Sequence, residues 1–441
     1  MAQEDEFGAG LDNAFEVLGM DEEAPSERRG SSGRRRGRDD EEAEELTLRF
    51  VDREGVLLLD DGTLPPLPDE RRRGRRGTSE DAVWERDLSA LPRNQIGEWI
   101  RKLDHKLTPR TGLRAYDPKE EGWHERTSAG PDPADAPDLS GVKRVLLLVH
   151  GTFSHSGALL KQIVEEDSGA GENFLDWVAT TYDRVLTFDH PTLASSPVIN
   201  AHALARALGD YGGDIDVVCH SRGGLVTRWW LEGFDRGPGR RRVVFVASPL
   251  AGTGLAAPPN LRSSLSMLSN VARALGTAAA AAPFLVFVSG VFKVVGSVSN
   301  LAAKTPALDA AVALVPGLAA QQRVGNTPEI HSLRAAPPDP AGLYFAVRAN
   351  FEPVAPGWKF WKYFRADQAK NIGADTIFTG HNDLVVDSGS MVELSDTVVI
   401  PGGQVLDFGT TDVVHHTNYF SNERTLRFIE DVLSDGPGLH A

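Results

Sequence analysis

The stretch Asp216-Val217-Val218-Cys219-His220-Ser221-Arg222-Gly223-Gly224 decides how this chain is read. It begins as a short apolar strand, turns abruptly at a serine and enters a helix with an apolar stripe of Leu225, Val226, Trp229 and Trp230. The turn has the spacing small-x-Ser-x-Gly, with Cys219 and Gly223 flanking Ser221. Small residues suit those flanks because strand and helix pack closely there while the serine backbone is strained. Such a turn presents the serine outward, so Ser221 is a candidate nucleophile. Short strings of this kind arise by chance, and the reading depends on what surrounds it.

Outward from this turn, residues 142 onward alternate apolar strands with helical segments. Strands are expected at Arg144–Val149, Arg184–Phe188, Ile215–Cys219, Arg242–Ala247, Leu343–Val347 and Thr397–Ile400. Helices fit between them at Asn173–Thr180, Ile199–Leu208 and Leu225–Phe234. Near-continuous Val, Leu and Ile runs suit strands covered on both faces, so the fold class is α/β, a doubly wound, mostly parallel sheet. No internal repeat interrupts the pattern.

Residues 1–45 are blocks of Glu, Asp, Arg, Gly and Ser and are expected to be disordered, since so little apolar surface cannot offset the ordering entropy. Residues 46–140 are read as a small N-terminal extension, with a hairpin, an Arg-rich linker and a helix over Ile96 to Leu107. The runs Arg34-Arg35-Arg36 and Arg71-Arg72-Arg73 with Arg75-Arg76 are read as solvated linkers in preference to contacts with nucleic acid or anionic lipid, since acidic runs lie close by. The α/β domain is expected over 141–436, with an apolar helical cap at about 255–325. Between Arg273 and Lys293 no residue is charged. That length raises a membrane-spanning helix, but Pro283 and the Ala/Gly-rich start argue for a buried cap or a lid instead.

The net charge of −16 argues against a general nucleic-acid binder. One cysteine rules out an internal disulfide framework, and the acidic start lacks a signal-peptide pattern, so a cytoplasmic location is expected. No His/Glu or paired-Cys spacing suggests a metal, and no cofactor is implied.

A serine hydroxyl becomes a useful nucleophile when a base takes its proton, normally a histidine oriented by a carboxylate. After Ser221 the chain offers Gly380-His381-Asn382-Asp383-Leu384-Val385-Val386 and then Val413-Val414-His415-His416-Thr417-Asn418-Tyr419-Phe420. The strand Arg144–Val149 ends in His150-Gly151-Thr152-Phe153, at the sheet edge where catalytic groups gather. The Thr152 and Arg222 backbone N–H groups are the candidate oxyanion donors.

The motifs V-H-G-T, C-H-S-R-G-G, N-D-x-V-V and H-x-N-Y together resemble the lipase-like branch of the α/β-hydrolases, which includes bacterial triacylglycerol lipases. The resemblance covers residues 142–436. It implies Ser221 as nucleophile, Asp383 as acid, His416 as base in preference to His415, and Thr152 as a donor to the oxyanion hole. The segment Ala247-Ser248-Pro249-Leu250-Ala251-Gly252-Thr253 is similar to the family's T-P-x-x-G-T. Two positions depart from the pattern: Cys219 stands where Gly is usual, and Arg222 puts a long cation beside the nucleophile. Asp387 and Asp375 are rivals for the acid, His150 is read as structural, and His155, His190 and His381 as surface or supporting groups.

The expected activity is hydrolysis of carboxylic esters, of lipid or other apolar acyl groups, with a small-molecule or lipid ester as partner, transient membrane-surface contact as an option and no nucleic acid. A silent α/β-hydrolase used as a binding or effector module, suggested by the charged N-terminal region, and an acyltransferase using the same triad are the alternatives. Fold alone does not choose among them.

Overall fold

A computed structural model describes residues 2–17, 45–53, 56–60, 82–89, 96–116, 125–127, 136–164, 166, 168–256, 261–275, 284–286, 288–292, 315–323, 327–352 and 380–434. The chain divides into two units: Met1–Ile100, Pro258–Leu314 and Ala355–Asp375 form one, and Arg101–Ala257, Val315–Val354 and Thr376–Ala441 the other.

In the first unit, strands β1 (Glu45–Arg53), β2 (Val56–Asp60) and β3 (Ala82–Ser89) form an antiparallel sheet ordered β2-β1-β3. The hairpin expected between β1 and β2 is present, with Arg53 opposite Val56. The disorder expected for residues 1–45 does not hold for residues 2–17. Ala2–Val17 is a helix that buries Phe7, Leu11, Ala14 and Phe15. These four recur at helical spacing within an otherwise polar stretch, and together they bury enough apolar surface to order the segment. Residues 18–44 and both arginine runs lie outside the described residues.

The apolar insertion belongs to this same unit. Its helix Leu261–Leu275 lies along β2, where the Asn270 amide accepts from Leu57 N–H at 2.9 Å and donates to the Leu57 carbonyl at 2.7 Å. Ser266 Oγ accepts from Leu59 N–H at 2.9 Å. Helix side chains thus take the place of a missing neighbouring strand and cover an edge that would otherwise invite pairing. The expected cap therefore buries the N-terminal sheet. Phe50 and Trp84 pack on Phe292 with ring centroids 5.5 and 5.7 Å apart. No described helix is long and apolar enough to cross a membrane.

The second unit is built on an eight-stranded sheet: β4 (Gly112–Tyr116), β5 (Glu125–Thr127), β6 (Arg144–Val149), β7 (Arg184–Asp189), β8 (Asp214–His220), β9 (Arg241–Val246), β10 (Tyr344–Phe351) and β11 (Val405–Thr411). Its order is β11-β10-β9-β8-β6-β7-β4-β5, parallel from β7 to β11, with β4 and β5 antiparallel. The boundary expected at 141 therefore falls earlier, because β4 pairs with β7 and carries the sheet back to residue 112.

Both faces of the sheet are buried, which is why its strands are apolar at consecutive positions. On one face Leu146, Leu148, Val218, Val244 and Val246 pack with Phe174, Val178, Leu426 and Ile429 from helices Ala170–Thr181 and Glu423–Leu433. On the other, Val145, Leu147, Val217, Cys219 and Phe245 pack with Ala201, Leu204, Val226 and Trp230. Helix Pro197–Leu208 supplies the first pair; the second comes from helix Gly223–Trp229 and the π-helical turn that follows it.

One strand differs from expectation. Thr397–Ile400 forms only a Glu393–Val399 bridge, and the edge strand is Val405–Thr411. That segment reads Val-Leu-Asp-Phe-Gly-Thr-Thr and stays partly exposed along its length, so it lacks the apolar signal of the central strands.

The order places a switch point between β6 and β8. From β6 the chain turns to β7 on one side, and from β8 it turns to β9 on the other. Loops leaving the carboxyl ends of β6 and β8 therefore part in opposite directions and open a crevice.

Candidate active site

Ser221 follows β8 at this switch point. Its backbone has φ of 53°, in the left-handed region that a residue with a side chain rarely adopts. Neighbouring glycines make the turn possible. A Cβ on Gly223 would lie 2.5 Å from the Val149 carbonyl oxygen, and one on Gly151 would lie 2.8 Å from Ser221 Cβ. The His150–Thr152 backbone, leaving β6, is thus pressed directly against the serine.

Ser221 Oγ lies 3.0 Å from His416 Nε2, and His416 Nδ1 lies 2.9 Å from Asp383 Oδ2. Asp383 is fully buried, and its other oxygen accepts from the Val385 and Val386 N–H groups at 3.1 and 2.8 Å. The Tyr419 hydroxyl donates to Asp383 Oδ2 at 3.2 Å. Leu384, with φ of 86°, makes the tight turn that folds these N–H groups back onto the carboxylate. The His416 N–H also donates to the Asp383 carbonyl at 3.0 Å. Both loops are therefore locked before any substrate arrives.

The neighbouring histidines sort out by their contacts. His415 lies 3.2 Å from the Thr417 hydroxyl and packs edge-on to Phe351. Burial pulls its pKa down to about 4, so it is neutral at ordinary pH. His220 Nε2 is 2.9 Å from the His416 carbonyl, and burial pulls its pKa to about 3. It therefore donates to that carbonyl as a neutral ring and holds the backbone of His416 in place. His150 Nε2 accepts from the His190 N–H at 3.1 Å, which leaves Nδ1–H to donate to the Gly151 carbonyl at 2.9 Å. Burial pulls His150 to about 4, so its approach to Asp189 at 3.6 Å is that of a neutral ring. His190, expected as a surface or supporting group, is fully buried and stacked on His150.

The two departures from the motif resolve differently. Cys219 is buried in the sheet with its thiol 3.6 Å from the Val244 carbonyl, and burial raises its pKa to about 12. It acts as a small apolar residue. Arg222 is also fully buried: its Nη2 donates to the Ser195 carbonyl at 2.5 Å. Burial lowers its pKa to about 10, which leaves it cationic at neutral pH. Among the described residues, its Nε and Nη1 have no hydrogen-bond partner, and neither the Thr152 nor the Arg222 backbone N–H has an acceptor.

Asp387, a rival for the acid, pairs with Arg323 at 3.2 Å and lines a polar cavity of about 470 Å³ whose walls include none of Ser221, Asp383 and His416. Asp375 lies outside the described residues. No group of three His, Cys, Asp or Glu among the described residues could hold a metal ion. Asp104 and Thr192 carried no local sequence signal, being 88 residues apart and joined only by the fold.

The strand order, the switch point and the strained serine after the central strand define the fold as that of the α/β-hydrolases. Within it, the chain belongs to the family described as domain of unknown function (DUF7379), whose model matches residues 110–434. No curated protein matches it in sequence. Similar solved structures include lipase 1 from Pelosinus fermentans, 12% identical over 66% of this chain and 97% of that one, with a TM-score of 0.40. Another is the Bacillus licheniformis lipase BlEst2 in mature form, 16% identical over 69% and 96%, with a TM-score of 0.34. A third is phospholipase PlaB from Legionella pneumophila, 12% identical over 56% and 45%, with a TM-score of 0.33.

Proposed function

We propose that this protein is a serine hydrolase that cleaves carboxylic esters carrying a lipid or other apolar acyl group. The observation that carries the reading is the unbroken hydrogen-bonded run from Ser221 Oγ through both nitrogens of His416 to the buried Asp383. His416 Nε2 takes the hydroxyl proton as Ser221 Oγ attacks the ester carbonyl. Asp383 orients the ring and stabilises the imidazolium. The Thr152 and Arg222 N–H groups take the oxyanion of the tetrahedral intermediate. Collapse expels the alcohol, which receives the proton from His416. Water then attacks the acyl-serine with His416 again as base, releasing the acid and the free hydroxyl. The acyl preference is motivated by composition alone, in the apolar residues 261–320, whose described part packs on the N-terminal sheet.

Ser221→Ala is expected to lower hydrolysis of p-nitrophenyl esters on the order of 10⁴-fold or more. A fluorophosphonate probe is expected to label the wild type and not the variant. Parental turnover by Ser221→Ala would refute the proposal. An unlabelled, inactive wild type would favour a silent binding module, and ester transfer to added alcohols in preference to water an acyltransferase.

A further inference from the structure

One buried carboxylate touches neither substrate nor triad, yet it connects to both halves of the candidate oxyanion hole. Asp104 lies on the helix Ile96–Leu107 and is 3% exposed. Its carboxylate accepts from the backbone N–H groups of Thr192 at 2.8 Å, Leu193 at 2.9 Å and Ala194, and from the Thr192 hydroxyl at 3.3 Å. A run of N–H groups converging on one carboxylate fixes the backbone of 192–194 as firmly as a helix cap fixes a first turn.

The segment held in this way has two outputs. Thr192 Oγ1 accepts from the Phe153 N–H at 3.3 Å. Phe153 has φ of 53°, a strained conformation for a residue with a side chain, and it directly follows Thr152. The carbonyl of Ser195 accepts from Arg222 Nη2, and Arg222 directly follows the nucleophile. A third tie runs from the end of the same helix, where the Thr108 hydroxyl donates to the Ser154 carbonyl at 3.3 Å. The loop that carries the Thr152 N–H and the turn that carries the Arg222 N–H come from the paired strands β6 and β8 and meet closely at Gly151 and Gly223, and beyond that contact each is tied to a third segment. The 192–195 segment, gripped by Asp104, bonds to each of them. Asp104 also acts on the buried Arg222 guanidinium as an opposing charge, ahead of Glu329, and so offsets part of the cost of burying that cation.

We propose that Asp104, acting through Thr192 and Ser195, is a positioning residue that sets the spacing of the two oxyanion-hole donors. The inference rests on the ester-hydrolase reading above. Its effect would fall on the transition state, because the oxyanion exists only there and a donor displaced by a fraction of an ångström loses most of its value.

The test uses the full chain with Thr192→Val, Thr192→Ser and Asp104→Asn. Working sites are counted by fluorophosphonate titration, so that misfolded protein does not enter kcat. Thr192→Val keeps the side-chain shape and removes the acceptor for Phe153. It is expected to lower kcat per titrated site by about ten- to a hundredfold, below the loss of a whole donor. KM is expected to stay within about twofold, and the Ki of a trifluoromethyl ketone to weaken by the same factor as kcat. Thr192→Ser is expected to restore both to within about threefold. Asp104→Asn, which cannot accept at one of its two positions, is expected to show the same pattern and covers the case in which Thr192→Val yields no titratable sites. Parental kcat per site in Thr192→Val or Asp104→Asn, or a loss that Thr192→Ser shares in full, overturns the proposal. Failure of the wild type itself to be labelled or to turn over ester overturns the hydrolase reading instead.

Discussion

Replacing His190 by phenylalanine is expected to flatten the acid limb of the protein's stability by about one proton. The His190 ring is fully buried between Phe188, at 5.3 Å and 14° between planes, and His150, at 4.1 Å and 19°. Its Nε2 has no hydrogen-bond partner among the described residues. Burial, with the nearby His150 and the Arg222 charge acting in the same direction, holds its pKa well below the ordinary histidine value, so the folded protein keeps it neutral. An unfolded chain protonates the same ring near pH 6.5. As pH falls, the unfolded state therefore binds the proton first, and stability present above about pH 6.5 is progressively lost. Integrating one such proton from pH 7 to pH 5 gives about 2 kcal/mol. His150, His220 and His415, pulled down to about 4, 3 and 4, add losses of the same sign in the parent and the variant alike. Phenylalanine keeps both ring stacks and removes the unpartnered nitrogen, but it also removes the Nδ1–H that donates to the Phe188 carbonyl at 3.2 Å, so stability at pH 7 is expected to fall by about 1–3 kcal/mol and only the difference between the two pH values is read. Urea unfolding of both proteins at pH 7 and pH 5, followed by circular dichroism, reads the difference. The parent is expected to lose about 2 kcal/mol more than the variant. Parallel losses would mean that His190 titrates normally in the folded state and would refute the reasoning.

Asp216→Ala is expected to destabilise the protein by about 3–5 kcal/mol in thermal unfolding, because its fully buried carboxylate accepts from Arg242 at 2.8 Å, Arg144 at 2.9 Å and the Tyr182 hydroxyl at 2.9 Å. Cys219 is expected to stay unmodified by iodoacetamide at pH 8 in the native protein and to react once urea unfolds it, since burial raises the thiol to about 12. Mass spectrometry reads the alkylation directly, and rapid native labelling would contradict the burial.

Much of this molecule was legible in order along the chain, and the physical reason is locality. A central strand buried on both faces must be apolar at consecutive positions, so β6 to β10 showed themselves within a residue or a few of their ends. An elbow forces small residues at fixed offsets from the serine, so Ser221 declared itself through Cys219 and Gly223. Asp383 and His416 stood in polar clusters between apolar runs, in the chain order that the resemblance implied. Where burial is one-sided or the signal is diluted, the reading failed. The edge strand β11 is partly exposed and was placed a few residues early, and the helix Ala2–Val17 lay hidden among acidic residues although four apolar positions define it.

What only the tertiary structure decided is which groups meet across long separations. Sequence put two histidines side by side, and the fold turned His416 to Ser221 while it buried His415 against Phe351. Sequence placed a cation beside Ser221, and the fold bonded it to Ser195, remote from its own turn. No pattern in the chain links Asp104 to Thr192, or Asn270 to Leu57, because a hydrogen bond across such a separation leaves no periodic trace. The sequence by itself determined the central strands and the elbow, since each obeys a local steric rule, and the resemblance supplied the order of the candidate groups. The spacing of those groups, and the neutrality of the histidines around them, depend on burial and on partners that come together only when the chain folds.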